Sequence, residues 1–407
     1  YLEWDKFTGV NFADDPMDLT PGKCSDAMNV FGGPGWVQKR PGLILKATMP
    51  LGTGASTRRC VYELVPMAVG TLQPALGVLT LQNLTAGGAS TFFGKLGPFL
   101  TASTLSVIPG TNTRHLANLR PAASDRYLIT TDGSGTGAMR WVISSGGNYA
   151  LSSTSVPPSY KDAALHRRTL IVGSGGSTPG RFQWSANADP TSFPAANDEA
   201  ILERGTINAL NGIAVGGDVV YLLCGNSLWT LTGELPETFR LDMIKDGLGG
   251  GTSRSLCNAG GVMVGFSTLQ NNGTGTYVVS PEGVMALKGQ QVESIGREIE
   301  PMLAPRYAQR PPWMPTGLNV WTDTNELSGM ATAYDPLRRI AILHPWVWFD
   351  HPGVAGYTRP FLVFQQDAGG FWVWNYDSGI KESCFAVKPH YGTGQMYVGA
   401  AAGRIFE

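Results

Sequence analysis

Charge is scarce in this sequence: Asp, Glu, Lys and Arg together make up 15% of its 407 residues, against roughly 25% in an average globular protein. A free monomer uses surface charge to stay soluble, so a chain this poor in it is expected to have much of its surface covered by neighbours. Neither sign dominates. Lys+Arg total 30 and Asp+Glu total 31, a formal net charge of −1, so the basic excess that non-specific nucleic-acid binding relies on is missing. A locally charged channel remains compatible with this balance. Cysteine is also sparse: Cys24, Cys60, Cys224, Cys257 and Cys384 are isolated, odd in number and without C-x-x-C spacing. Neither a zinc site nor a disulfide framework can be read from them. They are expected to be small buried hydrophobes of a protein made in a reducing cytoplasm. No run of eighteen apolar residues exists, so no membrane-spanning segment is expected. No basic segment leads into an apolar stretch at the start, so no signal peptide is visible. Beginning at Tyr1, the chain is expected to lack an initiator Met or a longer N-terminal piece.

Catalytic signatures are equally thin. The five histidines, His115, His166, His344, His351 and His390, are scattered, with no H-E-x-x-H and no pair at i, i+4 to present two nitrogens to a metal. No G-x-S-x-G elbow marks a nucleophilic serine. Val172 to Thr178, VGSGGST, has Thr178 where the last glycine of a dinucleotide fingerprint belongs, and no helix start follows it. Asp246 to Ser255, DGLGGGTSRS, lacks the lysine of a phosphate loop. Both are expected to be turns. Asp14 and Asp15 before Pro16 read as turn formers, and Asp323 and Glu326 as solvated loop residues; a distant carboxylate pair for glycoside hydrolysis stays open. No catalytic residue, cofactor or metal ligand is assigned, and the chain is expected not to be an enzyme.

Glycine, by contrast, is abundant, at 53 residues of 407, against a usual ~7%. Without a collagen period, that much glycine points to many tight turns between short strands. The recurring local pattern is an apolar strand, a glycine turn and a second apolar strand. It occurs at Asp125 to Ile143, Arg168 to Ser185, Asp218 to Gly233, Thr276 to Gly289, Phe361 to Tyr376 and Gln395 to Glu407. Val, Leu, Tyr and Trp suit a half-buried pleated surface, and glycine permits the positive φ of a tight turn. The turn glycines, near Gly137, Gly176, Gly225, Gly283, Gly370 and Gly403, scatter around the roughly 40–50 residues of a propeller blade.

One small sheet cannot bury both faces alone, whereas several arranged radially can. The fold expected is therefore all-β, a β-propeller of about seven blades, with six or eight possible and only a few short helices. A β-sandwich-type multi-sheet protein is the alternative. Residues 1–50 read as an N-terminal segment and propeller-closing strand, with Gln38 to Thr48 pairing against the terminal RIFE. Residues 51–407 read as the propeller, with a Pro-rich inserted loop around 301–330 carrying Pro301, Pro305, Pro311, Pro312 and Pro315. Val292, Ile295, Ile299 and Met302 fall at the 3, 4 and 3 spacing of one apolar helix face, ending at Pro301. A single helical turn is expected after Thr20.

Two aromatic clusters stand out, Trp346 to His351 and Phe371 to Tyr376. Strand alternation puts Phe371, Val373 and Asn375 on one face and Trp372, Trp374 and Tyr376 on the other. Trp346, Trp348, Trp372 and Trp374 are the candidate interface or packing aromatics, and stacking on sugars is their alternative use.

Several segments together resemble virion proteins of tailed bacteriophages. Asn11 to Gly42 is similar to an N-terminal region in which a D-x-P element leads to a small helix, an Asn-Val and a K/R-R-P-G turn opening the first strand. Arg181 to Phe193 resembles a recurrent W-S-x-x-x-D-P-x-x-F stretch, and Lys245 to Glu300 a glycine loop, a strand pair around G-V and a short helix. Ala333 to Trp346 and the terminal YVGAAAGRIFE resemble closing blades, while Leu43 to Ala117 match least well. The family includes the tail hub or nozzle proteins of short-tailed phages. The resemblance implies a propeller core, a homo-oligomeric ring of six copies below the portal and adaptor, and contacts with fibre or spike and needle proteins. It also implies a conduit that retains the genome and passes double-stranded DNA during ejection. The place implied is the phage tail, after synthesis in the bacterial host cytoplasm. No catalytic residues belong to that function. The alternative is a carbohydrate-binding or glycan-cleaving propeller used in receptor recognition.

Overall fold

The computed structural model describes 162–175, 178–187, 192–203, 209–250, 255–270, 277–299, 331–344 and 361–374, and elsewhere the strands named below with a few flanking residues. The chain is all-β, a β-propeller whose only regular helical pieces among the described residues are short 3-10 turns such as Pro236–Thr238 and Arg297–Ile299.

Among the described residues seven sheets have four or more strands, and the strands given below for each pair antiparallel with their neighbours. The first comprises Val61–Leu64, Gly77–Asn83, Ser90–Leu96 and Ser103–Ile108; the second, Pro121–Ala123, Tyr127–Thr131, Ala138–Ile143 and Tyr149–Ser152. Asp162–His166, Thr169–Gly175, Thr178–Trp184 and Asp198–Ala200 form the third. Leu210–Gly216, Val219–Cys224, Ser227–Thr232 and Arg240–Asp246 form the fourth. The fifth holds Leu256–Ala259, Val262–Gln270, Tyr277–Lys288 and Gln291–Ser294. Ala331–Asp335, Ile340–His344, Phe361–Gln365 and Gly370–Trp374 make the sixth. Cys384–Lys388, Gln395–Ala400 and Arg404–Phe406 start the seventh, and Leu45–Thr48 completes it from the N-terminal side.

The first strand of each sheet touches the first strand of the next, and that of the seventh touches that of the first. The inner strands thus close a ring. The closing pair expected from the sequence is present as Arg404↔Thr48, Ile405↔Ala47 and Phe406↔Leu45. It leaves neither partner as an open edge on that side.

Packing between neighbouring sheets explains why the strands read as continuous apolar runs. In Val219–Cys224, Val220, Leu222 and Cys224 face the third sheet, where they join its Ile171 and Phe182 and their own sheet's Ile213. Tyr221 and Leu223 face the fifth, with Met263, Met285 and Leu287. Both faces are buried, so alternation of polar and apolar residues disappears. Where backbones crowd, only glycine fits: a Cβ at Gly265 would run into the Ser255 carbonyl oxygen.

Three expectations change. Gly283 is not a hairpin turn, because Tyr277–Lys288 is one strand paired with Val262–Gln270 on both sides of a bulge. Phe266↔Val284 and Thr268↔Val279 flank a register shift, so Ser280 to Gly283 bulge opposite Ser267, and Gly283 takes φ +62° at the bend. Second, the apolar spacing from Val292 to Ile299 does not make an α-helix. Gln291–Ser294 is an edge strand and Arg297–Ile299 a single 3-10 turn; Val292 and Ile299 reach the core from two different elements. Third, Lys23–Cys24, inside the stretch expected to form a helical turn, pairs in parallel with Gly9–Val10 as a short strand. Met302 and the Pro-rich segment 301–330 lie outside the described residues.

Candidate functional site

The aromatic strand Gly370–Trp374 shows what its residues are used for. It is the fourth strand of the sixth sheet, and its alternation holds: Phe371 and Val373 pack towards the fifth sheet, and Trp372 and Trp374 towards the opposite side. Each of the four is 1% exposed. What covers the tryptophans is Ile340, Ile342, Phe361 and Val363 of the same sheet, with Cys24 and Val30 of the N-terminal segment. Both indole nitrogens are satisfied inside the chain: Trp372 Nε1 donates to Gln365 Oε1 at 3.1 Å and Trp374 Nε1 to the Val30 carbonyl at 2.9 Å. These two residues are packing aromatics. Trp346 and Trp348 lie outside the described residues.

The N-terminal segment forms a strap over that edge. Gly9–Val10 adds antiparallel to the aromatic strand through Val10↔Phe371, and Lys23–Cys24 adds beyond it. The Asn29 amide then donates to the Val373 carbonyl at 2.8 Å. Close approach demands glycine on both sides: a Cβ at Gly370 would collide with the Thr8 carbonyl oxygen, and one at Gly9, where φ is +119°, with that of Phe371. Lys23, 8% exposed, anchors the strap by donating to the Thr8 carbonyl at 3.1 Å and to Glu298 Oε2 of the fifth sheet's trailing turn at 2.6 Å. The strap therefore bridges two sheets. Beyond it, Val30–Gly33 and Trp36–Lys39 form a separate two-stranded hairpin, with Val37 43% exposed.

A second feature is the set of polar ties between inner hairpins. Asp162, buried at the start of the third sheet, accepts from the Ala163 amide at 2.9 Å and, across the junction, from the Ile213 amide at 2.8 Å. In the turn that follows, Arg167 reaches the fourth sheet, meeting Asp218 at 3.0 Å and Glu234 at 3.4 Å. His166 Nε2 lies 3.3 Å from the Gly233 carbonyl. Tyr221 donates to the Gly289 carbonyl at 3.0 Å, linking the fourth sheet to the fifth. Burial pushes the Cys257 thiol up to about 12, with the Thr332 hydroxyl of the sixth sheet as its side-chain partner.

Other sequence candidates are dispersed. His344 is fully buried, its ring 5.0 Å from that of Phe361; His115, His351, His390, Asp14, Asp15, Asp323 and Glu326 lie outside the described residues. Both glycine stretches behave as connections. Gly175↔Thr178 closes a hairpin, and Gly249 and Gly250 pack against the backbone of Gly225 and the side chain of Leu223 as the chain leaves the fourth sheet. Among the described residues, no group of three or more His, Cys, Asp or Glu side chains is placed to hold a metal ion. No helix among them is long and apolar enough to cross a membrane. The strap and the Asp162 and Arg167 ties escaped the sequence reading. The only signal for the first was Gly9 and Lys23 in an otherwise turn-like segment, and for the second the paired turn residues Arg167-Arg168 between apolar strands.

No protein-family model and no curated protein matches the chain. Among solved structures, YCF48, solved bound to a peptide, is 11% identical, with 88% of this chain and 94% of that one covered and a TM-score of 0.40. A quinoprotein alcohol dehydrogenase-like protein from Bacteroides thetaiotaomicron is 10% identical, covering 79% of this chain and 67% of that one at a TM-score of 0.39. AztD from Citrobacter koseri is 10% identical, covering 84% and 89% at a TM-score of 0.35.

Proposed function

We propose that this chain is a non-enzymatic structural subunit of a bacteriophage tail, a hub or nozzle protein that forms a homo-oligomeric ring and extends the DNA conduit below the portal and adaptor. On this reading each sheet of four or more strands among the described residues is one blade of a propeller of about seven. The observation that carries this reading is the run of segments from Asn11 to Gly42, Arg181 to Phe193 and Lys245 to Glu300 that resemble tail proteins, on a chain only 15% charged. Two structural facts are in keeping with it. The segment that opens the resemblance is built into the fold, as the strap and the hairpin Val30–Lys39. The conspicuous tryptophans Trp372 and Trp374 are spent on the interior, so they offer no platform for a glycan.

Neighbouring inner strands approach within 8 Å of one another all around the ring, leaving no room for a double helix along the axis of one propeller. On this reading DNA passes between copies, along the axis of the oligomer, and six copies would surround it. Adaptor, fibre or spike and needle proteins are the partners, and the virion tail is the place.

Light scattering and negative-stain microscopy of the purified protein, alone and with tail particles, test this. Rings, or rings formed only on a tail, are the expected result. A compact monomer with no affinity for virions would overturn it and make glycan arrays the next screen.

A further inference from the structure

We propose that the junction between the third and fourth sheets is an acid-sensitive joint whose moving part is the His166 imidazole. This does not depend on the conduit reading. His166 ends the inner strand of the third sheet and is 1% exposed. Its Nε2 faces the Gly233 carbonyl on the fourth sheet at 3.3 Å, so the neutral ring carries its proton there. Nδ1 is buried and has no hydrogen-bond partner among the described residues. The ring lies 6.3 Å from that of Phe239, which meets Trp184 edge-on at 5.7 Å. The charged groups around it are Arg167 in its own turn, Asp218 in the inner turn of the fourth sheet and Glu234 beside Gly233, the last two both paired to Arg167.

A second proton would create a buried N–H at Nδ1 with no acceptor among the described residues, and a positive charge beside the Arg167 guanidinium. An unsatisfied buried donor and a like charge both disfavour the closed junction. Burial is the main force holding the ring below its ordinary 6.5; the Gly233 carbonyl opposes it, Arg167 adds to the lowering and Asp218 opposes. The opened junction releases the ring to water, where it protonates at its ordinary value. The closed form therefore keeps its full advantage above pH 6.5 and loses it as pH falls below, at most about tenfold per pH unit, levelling off where the buried ring itself takes the proton.

Hydrogen exchange of the full chain, corrected for intrinsic rates, tests this on peptides spanning 162–173 and 233–241 from pH 7.5 to 4.5. Opening should rise as pH falls below 6.5 in the unmodified protein, at most about tenfold per pH unit, and stay flat in H166Q over the same range. D218N, which removes the carboxylate favouring a charged ring, should shift the levelling point to lower pH. An acid response unchanged in H166Q, or a levelling point unmoved or raised in D218N, overturns the proposal. Should H166Q not fold, the ring titration of the unmodified protein by NMR decides: a midpoint at or above 6.5 overturns it, and one clearly below supports it.

Discussion

Trp374 and Val30 are 344 residues apart in sequence, yet the indole N–H of one donates to the carbonyl oxygen of the other across 2.9 Å. The bond joins the outer strand of the sixth sheet to the start of the hairpin that follows the strap. The chain thus uses its own N-terminal segment to bury an aromatic edge that would otherwise be exposed and apolar, a surface prone to pairing with other chains.

Trp374→Ala removes a large, 1% exposed side chain and should cost about 3–5 kcal/mol. Trp374→Phe keeps most of the packing but leaves the Val30 carbonyl without its donor, and should cost about 1–3 kcal/mol. Urea unfolding midpoints measure both. Equal losses for the two would mean that the hydrogen bond, not the packing, matters.

Gly370→Ala should detach the strap while leaving the sheets folded, since the new methyl occupies the place of the Thr8 carbonyl. The expected sign is rapid cleavage by trypsin at Lys23, which is otherwise 8% exposed, with little change in far-ultraviolet circular dichroism. Persistent resistance at that site would mean that Lys23–Glu298 and the Trp374 bond hold the strap unaided.

Both carboxylate oxygens of Asp162 accept backbone N–H groups, one of them across the junction to Ile213. Asp162→Ala strands buried donors and should cost about 1–3 kcal/mol. Asp162→Asn should give little rescue, because its NH2 group would face an N–H. A fully stable D162N would show that one acceptor suffices.

The Cys257 thiol has an ordinary value of 9.0 and is pushed up to about 12 by burial. The unfolded chain loses this proton first, so the thiol's contribution is complete below pH 9 and drains away as pH rises towards 12. The unmodified protein should lose stability more steeply over that interval than Cys257→Ala. Parallel pH profiles would show that the thiol is not shielded.

Much of the architecture was legible because strand length and apolar runs dictate it. Hairpins such as Val219 to Thr232 and Phe361 to Trp374 announce themselves by two apolar runs around a turn, and the faces of Trp372 and Trp374 follow from alternation alone. Gly283 misled because a glycine between apolar runs serves a bulge as well as a turn; only the partner strand distinguishes them. The Val292 to Ile299 spacing misled because a strand followed by a 3-10 turn can bury residues at the same intervals as a helix. The wide interval from Gly283 to Gly370 arises chiefly from the long stretch between Ser294, which ends the last strand of the fifth sheet, and Ala331, which starts the sixth, and the position of Gly370 adds to it. Gly370 follows the turn between the third and fourth strands of its sheet, whereas most of the other glycines sit between the second and third. The ties at the candidate site were not legible, since Asp162 to Ile213 and Arg167 to Asp218 are contacts between sheets that no local pattern encodes.

The zipper of Leu45–Thr48 against Arg404–Phe406 sets a schedule for birth on the ribosome. At roughly 5–20 residues per second, the early strand waits on the order of 20–70 s for its partner to emerge. Throughout that time the ring is a open horseshoe with two bare edges, and crowded nascent chains can pair with one another through them. Fast or concentrated expression should therefore favour misassembled material, and slower synthesis at lower temperature should raise the yield of closed rings.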